Sequence, residues 1–279
     1  MTNSPLDRVP LACPHDGTPL TRTEGTLHCA QGHAFDIARQ GYVHLLPVAL
    51  KATKAPGDDV SMVAARRRVL DTGLFAPVSD ALIKCVRDVL NDAPADRLLL
   101  DAGCGEGHYT QALAAALPDR VVVGVDVSKP AILSAARRYR TLAWIVATNV
   151  RLPIQPGRSA LIACLFGFPA WAHWALCQQR GQTVLTIDPG PEHLIELREQ
   201  LYPSVRRHPP PDGQAALTAG YELVGTSGVT AVGTVSGAAD LLEMTPHGRR
   251  ADAAALERIK SAALASMTID VVLRRWRRL

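Results

Sequence analysis

The chain has 279 residues, 47% of them hydrophobic, which is enough for one sizeable α/β core and a small additional module. Aromatic residues make up only 5% while alanine is abundant, so the expected core is Val, Leu, Ile and Ala, and an all-β fold is disfavoured. The net charge of +4 permits a polyanionic partner without demanding one, and runs such as Leu161–Phe168 are far shorter than the roughly 18 residues that span a membrane.

Residues 1–48 read as a small β-rich unit, with two Cys, several His and Gly, and alternating stretches such as Tyr42–Leu46. A unit of that size cannot depend on a hydrophobic core alone and needs a metal, a disulfide or a docking surface. Cys13-Pro14-His15-Asp16 and Cys29-Ala30-Gln31-Gly32-His33 supply zinc-type donors. Cys13, Cys29 and His33 would take three positions of a tetrahedron and Asp16, or else His15, the fourth. Asp is a harder ligand than Cys at such a place. A metal-free unit with buried thiols and a Cys13–Cys29 disulfide are the alternatives. The six cysteines are scattered and no secretory-type apolar start precedes them, which predicts a reduced, cytoplasmic setting.

Residues 49–94 form a polar linker and helical approach, with helices expected over Val60–Asp71 and Pro77–Leu90 after the turn Pro56-Gly57-Asp58-Asp59. From 95 to 279 apolar runs alternate with helical segments. Strands are expected at Leu98–Leu100, Val121–Val125, Trp144–Ala147, Ala160–Leu165, Thr183–Ile187 and Met267–Leu273, and helices at His108–Leu117, Ala131–Arg138 and Glu192–Leu201. Such alternation indicates a parallel sheet covered by helices.

Leu98-Leu99-Leu100-Asp101-Ala102-Gly103-Cys104-Gly105-Glu106-Gly107 places a glycine-rich turn directly after a buried strand and before a helix. A dinucleotide fingerprint would want its third glycine at 108, which is His. The spacing favours the methionine end of S-adenosylmethionine, with Asp101 orienting the loop or the ligand ammonium and His108 and Tyr109 beside it. Asp126 ends the next strand, where two ribose hydroxyls need a bidentate acceptor. Its competing role is to cap the following helix, which Ser128 can do equally well. After the third strand, Thr148 or Asn149 stands where an acceptor for the adenine amino group is expected.

With these parts in order, the chain from about Cys13 to Trp276 resembles the ribosomal RNA guanine-N1 methyltransferase family RlmA. The resemblance rests on the Cys13–His33 module, Phe35–Pro47, Pro56-Gly57-Asp58 with Met62 and Ala65-Arg66, Asp101–Thr110, Asp126–Lys129, Pro189–Leu194 and Met244-Thr245-Pro246. It implies an α/β, class I (Rossmann-like) doubly wound methyltransferase sheet behind a zinc-ribbon-like β module. It further implies S-adenosylmethionine and zinc as cofactors, and methyl transfer to N1 of a guanine in a 23S rRNA hairpin loop; a homodimer is compatible with it. Two departures stand out: Asp16 replaces the family's second cysteine, and Leu161–Ala172 replaces a Tyr-Ala-Pro-type segment.

Guanine N1 carries a proton, so an acceptor is needed, and Asp188, Glu192 and His193 lie just after a predicted strand. Phe166, Phe168, Trp171 and Trp174 are candidates for a wall on which the base stacks, with core packing as the alternative. Arg66-Arg67-Arg68, Arg137-Arg138, Arg206-Arg207, Arg249-Arg250 and Arg274–Arg278 with Trp276 interleaved are candidates for phosphate contact or for solvated, ion-paired faces. A small-molecule methyltransferase and an RNA-binding protein without turnover are the competing functions.

Overall fold

The computed structural model describes residues 4–50, 56–90, 97–207, 209–234, 238–245 and 266–279, with residues 254, 257 and 259. Pro246, Arg249 and Arg250 lie outside the described residues. At the N-terminus, β1 (Thr21–Thr23), β2 (Thr26–His28) and β3 (Ala34–Asp36) form an antiparallel meander in which Leu27 faces Arg22 on one side and Phe35 on the other. A further strand, β4 (Tyr42–His44), follows.

Two helices come next. α1 (Val60–Asp71) starts at Asp59, whose side chain accepts from the Met62 N–H at 3.0 Å, and α2 (Ala76–Leu90) buries Val78, Leu82 and Val86 on one stripe. The main domain then runs β5 (Leu98–Ala102), α3 (His108–Ala116), β6 (Val122–Asp126), α4 (Lys129–Arg138), β7 (Ala143–Val146), β8 (Ser159–Leu165), α5 (Trp171–Cys177), β9 (Thr183–Pro189), α6 (Ile195–Leu201), α7 (Gln214–Thr218), β10 (Tyr221–Thr234), α8 (Ala238–Glu243) and β11 (Ser266–Arg278).

Eight strands form one sheet in the order β10-β11-β9-β8-β5-β6-β7-β4. All neighbours from β4 to β9 are parallel, whereas β11 pairs antiparallel with β9 and β10. The parallel strands are apolar and buried on both faces, as helices on each side require. The strand order reverses between β5 and β8, which opens a crevice beyond their carboxyl ends. β4, from the cysteine-bearing segment, extends this sheet as an edge strand beside β7, with Val43 opposite Ile145.

Several elements differ from the sequence reading, and the short helices α5, α7 and α8 are among those it did not anticipate. The helix expected from Glu192 begins at Ile195, because Glu192 and His193 lie in a turn that ends in Leu194 at a φ of 52°. β11 runs well beyond Leu273, and β10 was not anticipated at all. β10 is an edge strand whose half-exposed Gly, Thr and Ser residues carry no apolar run; pairing with β11 along its length makes it a strand.

Trp171, Trp174 and Trp276 pack together with Tyr221 on one face of the sheet, with ring centroids 5.2–5.8 Å apart. Trp174 and Trp276 are 0% and 2% exposed, and the Trp276 indole N–H donates to Thr186 Oγ1 at 3.3 Å. Trp174, fully buried on α5, is not a stacking wall, and Trp171 is half-buried against it. Trp276 is no RNA contact, because β11 buries every second residue and this one falls on the inner face.

Candidate active site and metal cluster

The glycine turn closes the crevice from below. Asp101, at the end of β5, is 1% exposed; its Oδ2 accepts from Thr110 Oγ1 at 2.6 Å, while Oδ1 has no partner among the described residues. Burial pushes this carboxyl up to about 7, against the pull of the Thr110 bond. The buried Tyr109 hydroxyl also lacks a partner, and Asp101 acts on it electrostatically, so two orphaned polar groups share one place. His108 instead turns to Ser79 of α2, at 3.4 Å, and burial lowers its pKa.

The three glycines are not equivalent. Gly103 has a φ of +92°, and a Cβ there would meet only Asn149 Nδ2, at 3.7 Å. Gly107 also has a positive φ, but its Cβ would come within 2.5 Å of the Trp144 ring. Gly103 therefore borders open space and Gly107 answers to packing.

Asp126 binds both loops together: its Oδ2 accepts from the Gly105 N–H at 2.9 Å and its Oδ1 from the Ser128 N–H at 2.8 Å. Burial raises its pKa and those two bonds oppose the rise. Ser128 caps α4 by accepting from the Ala131 N–H at 3.1 Å, so Asp126 is not the cap. Each Asp126 oxygen keeps a lone pair for a hydroxyl donor. On the far side, Thr148 is taken up by the Val150 N–H, whereas Asn149 reaches across to the Ala102 carbonyl at 3.4 Å.

Opposite the glycine turn, Phe166 directly follows β8 and Asp188 is the penultimate residue of β9. The Phe166 N–H donates to the Ile187 carbonyl at 2.8 Å, and Phe166 adopts a φ of 54° that a bulky side chain adopts only where its surroundings impose it. It is 38% exposed and lies against Phe75 and His193, whose ring centroid is 5.7 Å away. Phe168 is 91% exposed at the rim. Asp188 is half-buried, and burial raises its carboxyl against the pull of Arg274 and Thr186. Glu192 faces outward in a 2.5 Å ion pair with Arg207, and the His193 ring accepts from the Asp270 N–H at 3.3 Å. A residue missed by sequence reasoning is Glu106. It is 1% exposed, neither oxygen is hydrogen-bonded among the described residues, Arg138 Nη1 lies 3.6 Å away, and burial pushes it up to about 7.

The arginine clusters are largely ion-paired on the surface: Arg67 and Arg138 with Asp71, Arg68 with Asp240, Arg207 with Glu192, Arg277 with Glu222.

In the N-terminal unit, Cys13, Asp16, Cys29 and His33 bring their donor atoms within 4.8 Å of one another. His33 Nδ1 lies 3.5 Å from Cys13 Sγ, 3.2 Å from Cys29 Sγ and 3.0 Å from Asp16 Oδ2, and Asp16 Oδ2 is 3.4 Å from Cys29 Sγ. Tetrahedral zinc with bonds of about 2.0–2.3 Å needs donors roughly 3.3–3.8 Å apart, so two thiolates, an imidazole and one carboxylate oxygen fit the ion. The other Asp16 oxygen is held by the Thr18 N–H and hydroxyl at 2.8 and 2.6 Å, and these bonds keep its pKa below the usual carboxylate range. His15 stands outside the cluster, stacked on Phe35.

Residues 11–54 match the zinc-ribbon family described as RlmA, N-terminal, and residues 99–186 match a methyltransferase domain. The 23S rRNA (guanine(748)-N(1))-methyltransferase of Streptomyces fradiae is 35% identical over 192 residues, 68% of this chain and 67% of that one. A relative of the 23S rRNA (guanine-N(1)-)-methyltransferase kind from Micromonospora griseorubida is 34% identical over 237 residues, 78% of each chain. The chain belongs to the 23S rRNA (guanine-N1)-methyltransferase family. As a member of it, the protein is an S-adenosylmethionine-dependent methyltransferase with an N-terminal zinc ribbon. A trans-aconitate 2-methyltransferase of Methylobacterium radiotolerans is 33% identical over a shorter stretch, 35% of this chain and 44% of that one.

Proposed function

We propose that this protein methylates N1 of a guanine in a hairpin loop of 23S rRNA, with the base against Phe166 and its N1 proton accepted by Asp188. The carrying observation is the convergence of Asp101, Phe166 and Asp188 at the carboxyl ends of β5, β8 and β9, adjacent strands of one sheet. Asp101, Gly103, Gly105, Tyr109, Asp126 and Asn149 would hold the cofactor, while Gly107 shapes the turn by its packing on Trp144: Asp101 Oδ1 and the Tyr109 hydroxyl are the polar groups left for its methionine end, and Asp126 for its ribose. His108 and Thr148, committed to Ser79 and Val150, serve as supports.

When bound, S-adenosylmethionine supplies a methyl group on a sulfonium. The N1 lone pair forms the new N–C bond, the electrons of the broken C–S bond return to sulfur, and the N1 proton goes to a carboxylate oxygen of Asp188. Burial brings the Asp188 pKa closer to neutrality than that of a surface aspartate, which favours the transfer. Phe166 offers an apolar face to an unstacked base. Placement of nucleophile and methyl supplies most of the remaining rate. Glu192, tied to Arg207, is a weaker acceptor candidate, and His193 orients Phe166. Zinc in the Cys13, Asp16, Cys29 and His33 cluster would hold the meander that presents this face to RNA. An rRNA substrate calls for a cytoplasmic enzyme, and among the described residues no helix is long and apolar enough to cross a membrane.

The test is methyl transfer from labelled S-adenosylmethionine to large-subunit rRNA lacking the modification, followed by nucleoside analysis. Labelled 1-methylguanosine is expected. Asp188→Asn should cost about 10²–10⁴ in rate with unchanged S-adenosylhomocysteine affinity. Cofactor binding without rRNA labelling would instead support a small-molecule substrate.

A further inference from the structure

Arg66 belongs to α1, outside the glycine turn, yet its guanidinium reaches the cofactor crevice. Its Nη1 pairs with Asp58 Oδ2, its Nη2 donates to the Met244 carbonyl at 3.1 Å, and Nη1 lies 3.4 Å from where a Cβ on Gly105 would stand. Asp58 is itself anchored to the loop after β6: its carbonyl accepts from Ser128 Oγ at 2.6 Å. Gly57, at a φ of +83°, passes so close that a Cβ there would be 2.8 Å from Ser128 Cβ. The segment from Gly57 to Arg66 is thus strapped across Gly105 and Ser128, the two residues whose N–H groups bind Asp126. The positive charge of Arg66 is felt by Asp126 and Tyr109, at two points of the crevice, and by the buried Glu106.

The side chains around that crevice are otherwise acidic at Asp58, Asp101 and Asp126, while Glu106 is buried with Arg138 3.6 Å away. Carboxylates can accept from the ammonium and ribose hydroxyls of S-adenosylmethionine, but they repel its α-carboxylate. An anion there needs a donor, and a guanidinium has five N–H groups in a planar fork. Asp58 and Met244 leave several of them available. We propose that Arg66 binds the α-carboxylate of the cofactor.

The assignment rests on the cofactor reading above, and the test separates the two. The zinc-loaded full chain is titrated calorimetrically with S-adenosylmethionine and with decarboxylated S-adenosylmethionine, which lacks only the carboxylate. Wild type should prefer the intact ligand by about tenfold or more, as expected for a charge-assisted bond, and Arg66→Ala should abolish most of that preference while binding the decarboxylated ligand nearly as wild type does. Equal weakening of both ligands, or a preference that survives the substitution, would overturn the assignment in favour of a structural clasp. If Arg66→Ala does not fold, Arg66→Gln, which keeps most of the volume, replaces it with the same outcomes. Wild type that binds neither ligand overturns the cofactor reading and the assignment with it.

Discussion

Substituting alanine for each of two glycines in the turn should give opposite pairs of effects. At Gly107 the new Cβ would need a φ of +89° and would sit 2.5 Å from the Trp144 ring and 3.1 Å from Ala135 Cβ. Trp144 is 1% exposed and its indole N–H is fixed on the Tyr139 carbonyl at 2.9 Å, so the ring cannot swing away. Left-handed backbone costs an alanine about 1–2 kcal/mol and overpacking a full core about 1–3 kcal/mol. The sum, about 2–5 kcal/mol, corresponds to a fall in Tm on the order of 10 °C. At Gly103 the φ is similar, +92°, but the nearest atom is Asn149 Nδ2 at 3.7 Å, so only the backbone cost applies. Gly103→Ala should melt within a few degrees of wild type, about 2–6 °C, yet lose cofactor affinity because its methyl enters the ligand space. Scanning calorimetry without ligand, then titration with S-adenosylhomocysteine, gives both numbers. A Gly107→Ala protein as stable as Gly103→Ala would refute the reasoning that packing, not ligand approach, demands glycine at 107.

Further outcomes follow from the same geometry. The raised pKa of Asp101, about 7 when ligand-free, means that its ionisation works against the fold as pH climbs from its unfolded value near about 4, with the loss complete above about 7. A bound ammonium needs the ionised form, so cofactor affinity should rise with pH and level off above about 7, and Asp101→Asn should flatten the profile; calorimetry between about pH 5.5 and about 8.5 decides, and a profile unchanged in the variant removes Asp101 from the site. Chelation of zinc should unfold the β1–β3 meander before the main sheet, seen as early loss of amide protection around Cys29, while Asp16→Cys should retain zinc against more chelator, since a thiolate is the softer donor. An Asp16→Cys protein that loses zinc more readily would show that the carboxylate is the better fit. Trp276→Ala should cost about 3–5 kcal/mol in denaturant unfolding and leave the salt dependence of rRNA binding unchanged; a shallower slope would return this residue to the RNA surface.

The amino-acid sequence by itself determined the alternation of strands and helices, the glycine turn after β5, the acid ending β6 and the cysteine and histidine spacing of the ribbon. Each is a local pattern: a period, a turn residue, or a ligand spacing within a few residues. Tertiary structure decided what local pattern cannot carry. β10 is a strand because β11 pairs with it, Trp174 and Trp276 are core because α5 and β11 bring them together on one face of the sheet, and Glu192 is drawn into an ion pair with Arg207. The same holds for Arg66, one of three consecutive arginines that look alike in sequence. Arg67 and Arg68 pair with surface acids, and the helical turn that sends Arg66 to Gly105 and Asp58 comes from how α1 packs. A charge acquires its role from what faces it, and what faces it here lies up to 178 positions away in the chain.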